Sequence, residues 1–201
     1  MKWVECVTCG ARNHKVCGFH NEQQEKPYKC PKCRLDDPGL PTASDLPETV
    51  LGNFIQKRLL IRMRRDREER AIAEGRSSPD EVPGAEDLVV RVVMSSKKSL
   101  PVNKGLLGIL RQESKEYPAE FRYTAKMVLL FQKIEGIDVC IFAMYVQEYG
   151  SDCDAPNRRY ACISYIDSVK YFTPDISAST GESLRTVAYH EILVSFFILG
   201  H

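Results

Sequence analysis

The chain has 201 residues, 43% hydrophobic and 27% charged, with 12 Gly and 11 Pro, which fits one or two ordinary globular domains and excludes collagen-like or wholly disordered sequence. Lys plus Arg number 28 against 27 for Asp plus Glu, a formal charge of +1, so no global field recruits nucleic acid or an anionic membrane and any electrostatic recognition is local. The longest apolar runs, residues 139–146 and 192–199, are too short to cross about 30 Å of hydrocarbon. No secretory signal opens the chain, so the thiols are expected to stay reduced.

Five of the 8 Cys cluster near the N-terminus with one histidine, as Cys6-x2-Cys9-x4-His14-x2-Cys17-x12-Cys30-x2-Cys33. A Cys-x2-Cys pair brings two thiolates to one ion from a tight turn, and two such pairs supply the four tetrahedral ligands of a closed zinc site. A segment this small buries too little apolar surface to fold without the metal. The ligand order resembles the last three quarters of a PHD-type finger, whose two zinc sites interleave along the chain. That resemblance implies that Cys6, Cys9, Cys30 and Cys33 form one complete site, that His14 and Cys17 form half of another, and that Tyr28 packs the finger core. For His14 the alternative is an ordinary surface residue, and His20 reads as solvent-facing.

Residues 34–44 contain Asp36-Asp37-Pro38-Gly39 and Pro41, turn signals that mark a boundary after a finger over residues 1–34. A helix is expected next, capped by Ser44 or Asp45 with Pro47 in its first turn, because Val50, Leu51, Phe54, Ile55, Leu59 and Met63 recur mostly at three- and four-residue spacing. Its outer face, ending at Gly75, carries Lys57, Arg58, Arg62, Arg64, Arg65, Arg67 and Arg70 against Asp66, Glu68, Glu69 and Glu74. Two readings stand for that face: solvated intrahelical pairs, or a contact for nucleic acid or an acidic partner. Residues 76–87 read as a flexible connection, so 35–87 form a linker with a long basic helix.

From Leu88 the pattern changes. Residues 88–94 are β-branched and nearly continuous, as in a strand covered on both faces. A short helix is expected over 103–111, strands over 126–134 and 137–147 joined by a tight Glu135-Gly136 turn, and a strand over 160–165. A final, largely apolar helix is expected from Ser179 or Thr180, with Ser179-x-x-Glu182 as a capping box. The fold class is α+β, a mixed sheet with packed helices over 88–201, preceded by the zinc-stabilised finger.

His190-Glu191 resembles a zinc-protease motif, but the position that needs a second histidine is Val194, which removes that reading. No phosphate loop of the GxxxxGK[ST] type and no GxGxxG occurs. Cys140, Cys153 and Cys162 read as packed or exposed inert thiols.

Four separated segments carry a further likeness: residues 131–137 (FQKIEGI), 145–153 (YVQEYGSDC), 163–172 (ISYIDSVKYF) and 184–193 (LRTVAYHEIL). Occurring in this order behind a zinc finger, they resemble the catalytic domain of CBP-type histone acetyltransferases from about Leu88 to Leu193, with residues 80–86 closest to the plant branch. The resemblance implies transfer of acetyl from acetyl-CoA to lysines of histone tails and other nuclear proteins, with transcription factors as partners, in the nucleus. It further implies that Arg185 and Thr186 bind CoA, that Ile166, Asp167 and Ser168 line its pantetheine arm, and that Tyr165 and Tyr189 wall the lysine tunnel. The family's catalytic acid and tunnel tryptophan are expected beyond His201, so the chain is expected to be an incomplete piece without a catalytic residue of its own. The competing reading is a catalytically dead, zinc-dependent chromatin or partner-binding module.

Overall fold

The protein is described by a computed structural model covering residues 2–20, 27–35, 40–112 and 117–200. The Asp36-Asp37-Pro38-Gly39 turn lies outside the described residues. Strands β1 (Trp3–Glu5) and β2 (Arg12–His14) form a small antiparallel hairpin. Helix α1 (Val50–Ala73) follows, then β3 (Leu88–Pro101), α2 (Lys104–Gln112), β4 (Glu120–Ile134), β5 (Ile137–Tyr149), β6 (Tyr160–Ser168) and α3 (Leu184–Gly200).

The four long strands make one sheet in the order β3-β4-β5-β6. The class is α+β, and every ladder among the described residues is antiparallel. The β4–β5 hairpin closes on Glu135 and Gly136, both at positive φ (51° and 80°), the geometry of a two-residue turn that matches strand twist. Two bulges interrupt the β5 ladders, one at Leu130/Phe131 and one at Tyr145/Val146; in the second, Ser164 of β6 is the unpaired extra residue.

Alternation along the strands sends two sets of side chains to opposite faces. Val90 and Val92, Val128 and Leu130, and Phe142, Met144 and Val146 meet Ile55, Leu59 and Met63 of α1 and Leu184, Val187, Ile192 and Phe196 of α3. The other face presents Leu129 and Phe131, covered by Ala43, Leu46 and the finger residues Val16 and Phe19. Fully burying each such Leu or Phe contributes about 1.5–3 kcal/mol, so both layers matter to stability. Among the described residues no helix is long and apolar enough to cross a membrane.

Helix α1 departs from the sequence expectation at both ends of its inner stripe. Its N-cap is Thr49, whose Oγ1 accepts from Gly52 N at 3.0 Å; Asp45 instead closes a preceding 3-10 turn by accepting from Thr42 N at 2.7 Å. The buried stripe then runs Gly52, Ile55, Leu59, Met63, Asp66 and Arg70, so two residues read from sequence as part of the outer basic face point inward. Their burial is satisfied by pairing, Arg70 Nε to Asp66 Oδ2 at 2.8 Å. Arg58 binds Glu191 of α3 at 3.0 Å, and Arg67 clamps residues 80–86 through Val82 O at 2.8 Å. Arg64–Glu68 and Arg65–Glu69 are outward pairs one turn apart. The helix ends where Gly75 takes φ +67° and Arg76 N donates to Ala71 O at 2.8 Å, the glycine stop expected from the sequence.

Because Thr49 satisfies an otherwise orphaned helix donor, Thr49→Ala is expected to cost about 1 kcal/mol. Urea unfolding followed by helical circular dichroism checks this, and Asp45→Ala, outside the helix, is expected to leave the α1 signal unchanged.

Candidate functional site

The first cluster with chemistry is in the finger. Sγ atoms of Cys6, Cys9, Cys30 and Cys33 all lie within 4.8 Å of one another, with Cys9 and Cys30 at 3.6 Å. Four thiolates around zinc at about 2.3 Å stand about 3.8 Å apart, so these four fit a tetrathiolate centre. Cys30 N donates to Cys6 Sγ at 3.2 Å, and chiefly that bond holds the Cys6 thiol down at about 6, which favours the thiolate that ligates metal. Tyr28 packs against Cys6 and Cys30, 8% exposed. A Cβ at Gly18 would overlap its hydroxyl, so this close approach requires glycine.

His14 and Cys17 lie outside that cluster. The His14 ring sits on Trp3 with centroids 3.9 Å apart. The Cys17 thiol makes a hydrogen-bonding contact with Cys140 of β5, which lowers the pKa of Cys17 and raises that of Cys140. His20 is half-buried, edge-on to Tyr28 at 5.4 Å.

A groove of about 1040 Å³ separates the finger from the sheet. Trp3, Arg12 and His14 form one wall, and Met127, Tyr145, Tyr165 and Asp167 stand among the sheet residues of the other. Tyr165 pairs in register with Tyr145, its ring 6.0 Å away, and Asp167 pairs with Ala143. Tyr165 remains 72% exposed, as an edge strand allows.

Ile166 and Ser168 also border this groove, although by register they belong to the opposite face of β6. They pair with Met144 and Phe142, whose side chains belong to the core under α3. Arg185 and Thr186 stand half-buried in the first turn of α3, which holds no acidic residue. A helix N-terminus offers free N–H groups and positive partial charge, the elements that hold phosphate. Tyr189, one turn beyond Arg185, ties this end together. Its hydroxyl donates to Ile141 O at 3.0 Å and to Val169 O at 3.4 Å, and its ring lies 4.8 Å from Phe142. Ser168 and Arg185 therefore lie on one face of the sheet, linked through the Tyr189 contact with the residue after Ser168.

Nearby polar groups serve packing. Glu191 accepts from Arg58 and Ser195, both at 3.0 Å, so Glu191 joins α3 to α1. Cys153 is buried, and that burial raises its pKa. Helix α3 starts at Leu184, and the proposed capping box does not form: Ala178 N donates to Glu182 O at 2.7 Å, making a turn ahead of the helix. Sequence reasoning missed the partners Ser179 has instead, Asp66 and Glu69. The spacing of Asp66 and Arg70 signalled an ion pair, but only the tertiary fold shows that it is buried.

Comparison with known proteins gives a consistent result. Residues 79–200 match the family described as the histone acetyltransferase domain KAT3. Over 96% of its length the chain is 46% identical to Histone acetyltransferase HAC1 of Arabidopsis thaliana, covering 12% of that protein. It is 46% identical over 96% of its length to Probable histone acetyltransferase HAC-like 3 of Oryza sativa subsp. japonica, covering 16% of that protein. Protein cbp-1 of Caenorhabditis elegans is 31% identical over 95% of the chain, which spans 9% of it.

Burial pushes the Tyr189 hydroxyl up to about 12 from an ordinary value near 10. A pKa raised on folding means stability that is complete below about pH 10 and is lost as pH rises toward 12. Tyr189→Phe is expected to weaken the fold at neutral pH by about 1 kcal/mol through the lost hydrogen bonds and to flatten the decline between pH 10 and 12. Chemical denaturation at several pH values reads both effects.

Proposed function

Since the chain belongs to the KAT3 family of histone acetyltransferases, we propose that it serves acetyl transfer from acetyl-CoA to lysine side chains of histone tails and other nuclear proteins, in a nuclear coactivator that engages transcription factors. The observation that carries this reading is the shared sheet face of Ser168, at the end of β6, and Arg185, at the start of α3. In this reading Arg185, Thr186 and the positive end of α3 bind the CoA phosphates, the Leu184 N–H being already engaged by Ile176 O. Ile166 and Ser168 line the pantetheine arm from the strand, with Asp167 at the same edge. Acetyl-CoA supplies the activated acyl group.

Tyr165 walls the lysine side, where its ring and that of Tyr145 border the groove. Tyr189 holds the β6 end against α3; its hydroxyl donates to backbone carbonyls, a role in shaping the site rather than in proton transfer. An attacking lysine must lose its proton, ordinarily at a pKa near 10.4, and the departing thiolate must gain one. None of the chain's residues is assigned to these proton transfers.

We assign zinc to Cys6, Cys9, Cys30 and Cys33, on the strength of their convergence. His14 and Cys17 hold a second ion only with donors from outside the described residues. The chain divides in this proposal into the finger (1–34), the connecting segment with its helix (35–87) and the acetyltransferase portion (88–201).

Titration calorimetry of the 201-residue chain with acetyl-CoA tests the main reading. Binding is expected, and Arg185→Ala is expected to weaken it about tenfold, the scale of one charge-assisted hydrogen bond. Absence of binding, or an Arg185→Ala variant that binds as the parent does, refutes the assignment. For the metal, Cys30→Ser is expected to remove bound zinc as measured by elemental analysis, and to unfold the β1–β2 hairpin while the β3–β6 sheet persists in amide exchange.

A further inference from the structure

Residues 169–183, joining β6 to α3, set the separation between Ser168 and Arg185, and side chains from distant parts of the fold hold this segment near both ends. Near β6 the anchor is Gln132 of β4, 2% exposed. Its Oε1 accepts from Thr173 N at 2.9 Å, and its Nε2 donates to Thr173 O at 2.5 Å and to Glu86 O at 3.2 Å. Near α3 the anchor is Asp66 of α1, wholly buried, which accepts from Ser179 N at 2.7 Å. Glu69 accepts from Ser179 Oγ at 2.7 Å, and chiefly that bond holds its carboxyl below the usual range. Between the anchors Phe172 and Ala178 are buried in the main core, and Leu184 N donates to Ile176 O at 2.9 Å.

A carboxylate withdrawn from water is costly unless paired and hydrogen-bonded, and an apolar side chain at position 66 would fill the stripe without that cost. What Asp66 adds is a fixed acceptor for a loop N–H. Its second oxygen takes Arg70 Nε at 2.8 Å, and Arg70 donates in turn to Pro83 O at 2.6 Å. The acceptor is thereby fixed against the segment that leads into β3.

We propose that Asp66, Glu69 and Gln132 are positioning residues of the acetyl-CoA site: by gripping Thr173 and Ser179 they hold the start of α3 where Arg185 and Ser168 face one ligand. The inference rests on the acetyl-CoA reading above. None of the three gripping residues needs to touch the ligand, so their effect appears in affinity through loop order.

The test uses Ser179→Ala and Glu69→Gln, substitutions at the exposed end of the grip, with Ser179→Thr as the conservative rescue and Asp66→Asn as the buried counterpart. Three quantities are read: melting temperature, CoA affinity by calorimetry, and amide exchange of residues 176–184. Ser179→Ala and Glu69→Gln are expected to melt with the parent, to exchange faster in that segment and to bind CoA three- to tenfold more weakly, with Ser179→Thr restoring both. If Asp66→Asn fails to fold, the surface pair carries the test. Parental exchange and affinity in both surface variants overturn the proposal. If the parent chain itself binds no CoA, the acetyl-CoA reading fails and the role in ligand positioning falls with it; exchange that is faster in the variants still establishes the grip on the loop, and unchanged exchange refutes the grip as well.

Discussion

A sheet whose central strands are apolar on both sides has to be covered twice, and that requirement organises the whole chain. Strands β4 and β5 bury Val128, Leu130, Phe142 and Met144 on one side and Leu129 and Phe131 on the other. Helices α1 and α3 satisfy the first side, while a short segment around Ala43 and the finger satisfy the second. The basic helix is therefore part of the main core. Removing its layer would expose Val90, Val92 and Leu130 together, a cost of several buried side chains at about 1.5–3 kcal/mol each.

The same requirement explains which features could be read from sequence. Local rules worked where the determinant was local. The Glu135-Gly136 turn, the Gly75 helix stop, the short helix expected over 103–111 and the four-thiol spacing depend on neighbours in the chain, and each has its structural counterpart. The nearly continuous β-branched run at 88–94 signalled cover on two faces, and β3 has buried or half-buried residues on both. Strand lengths were less legible, because β3 extends through polar Ser95–Ser99 by pairing with β4, which hydrophobicity does not reveal.

Where the determinant was tertiary, the sequence misled or stayed silent. Thr49 rather than Ser44 or Asp45 starts α1, since Asp45 is engaged with Thr42. Asp66 and Arg70 fall on the helix face turned toward α3 and the 78–86 segment, so charges that look solvated in a helical projection are desolvated and paired. Ser179 answers to α1 rather than to its own helix. Of the site residues, α3 presents Arg185 and Thr186 together, but no periodicity in sequence says which face of the sheet that helix lies on.

The β6 bulge bears directly on that question. Strict alternation from Tyr160 would send Tyr165 and Asp167 toward α3 and would turn Ile166 and Ser168 to the finger. The additional backbone unit at Ser164 reverses this parity midway along the strand. One residue that pairs with nothing thus sets which side chains share a face with Tyr145 and which share one with Met144. Taking Ser164 into a regular ladder would exchange the two sets, whereas removing it would leave Tyr165, Ile166, Asp167 and Ser168 facing as they do.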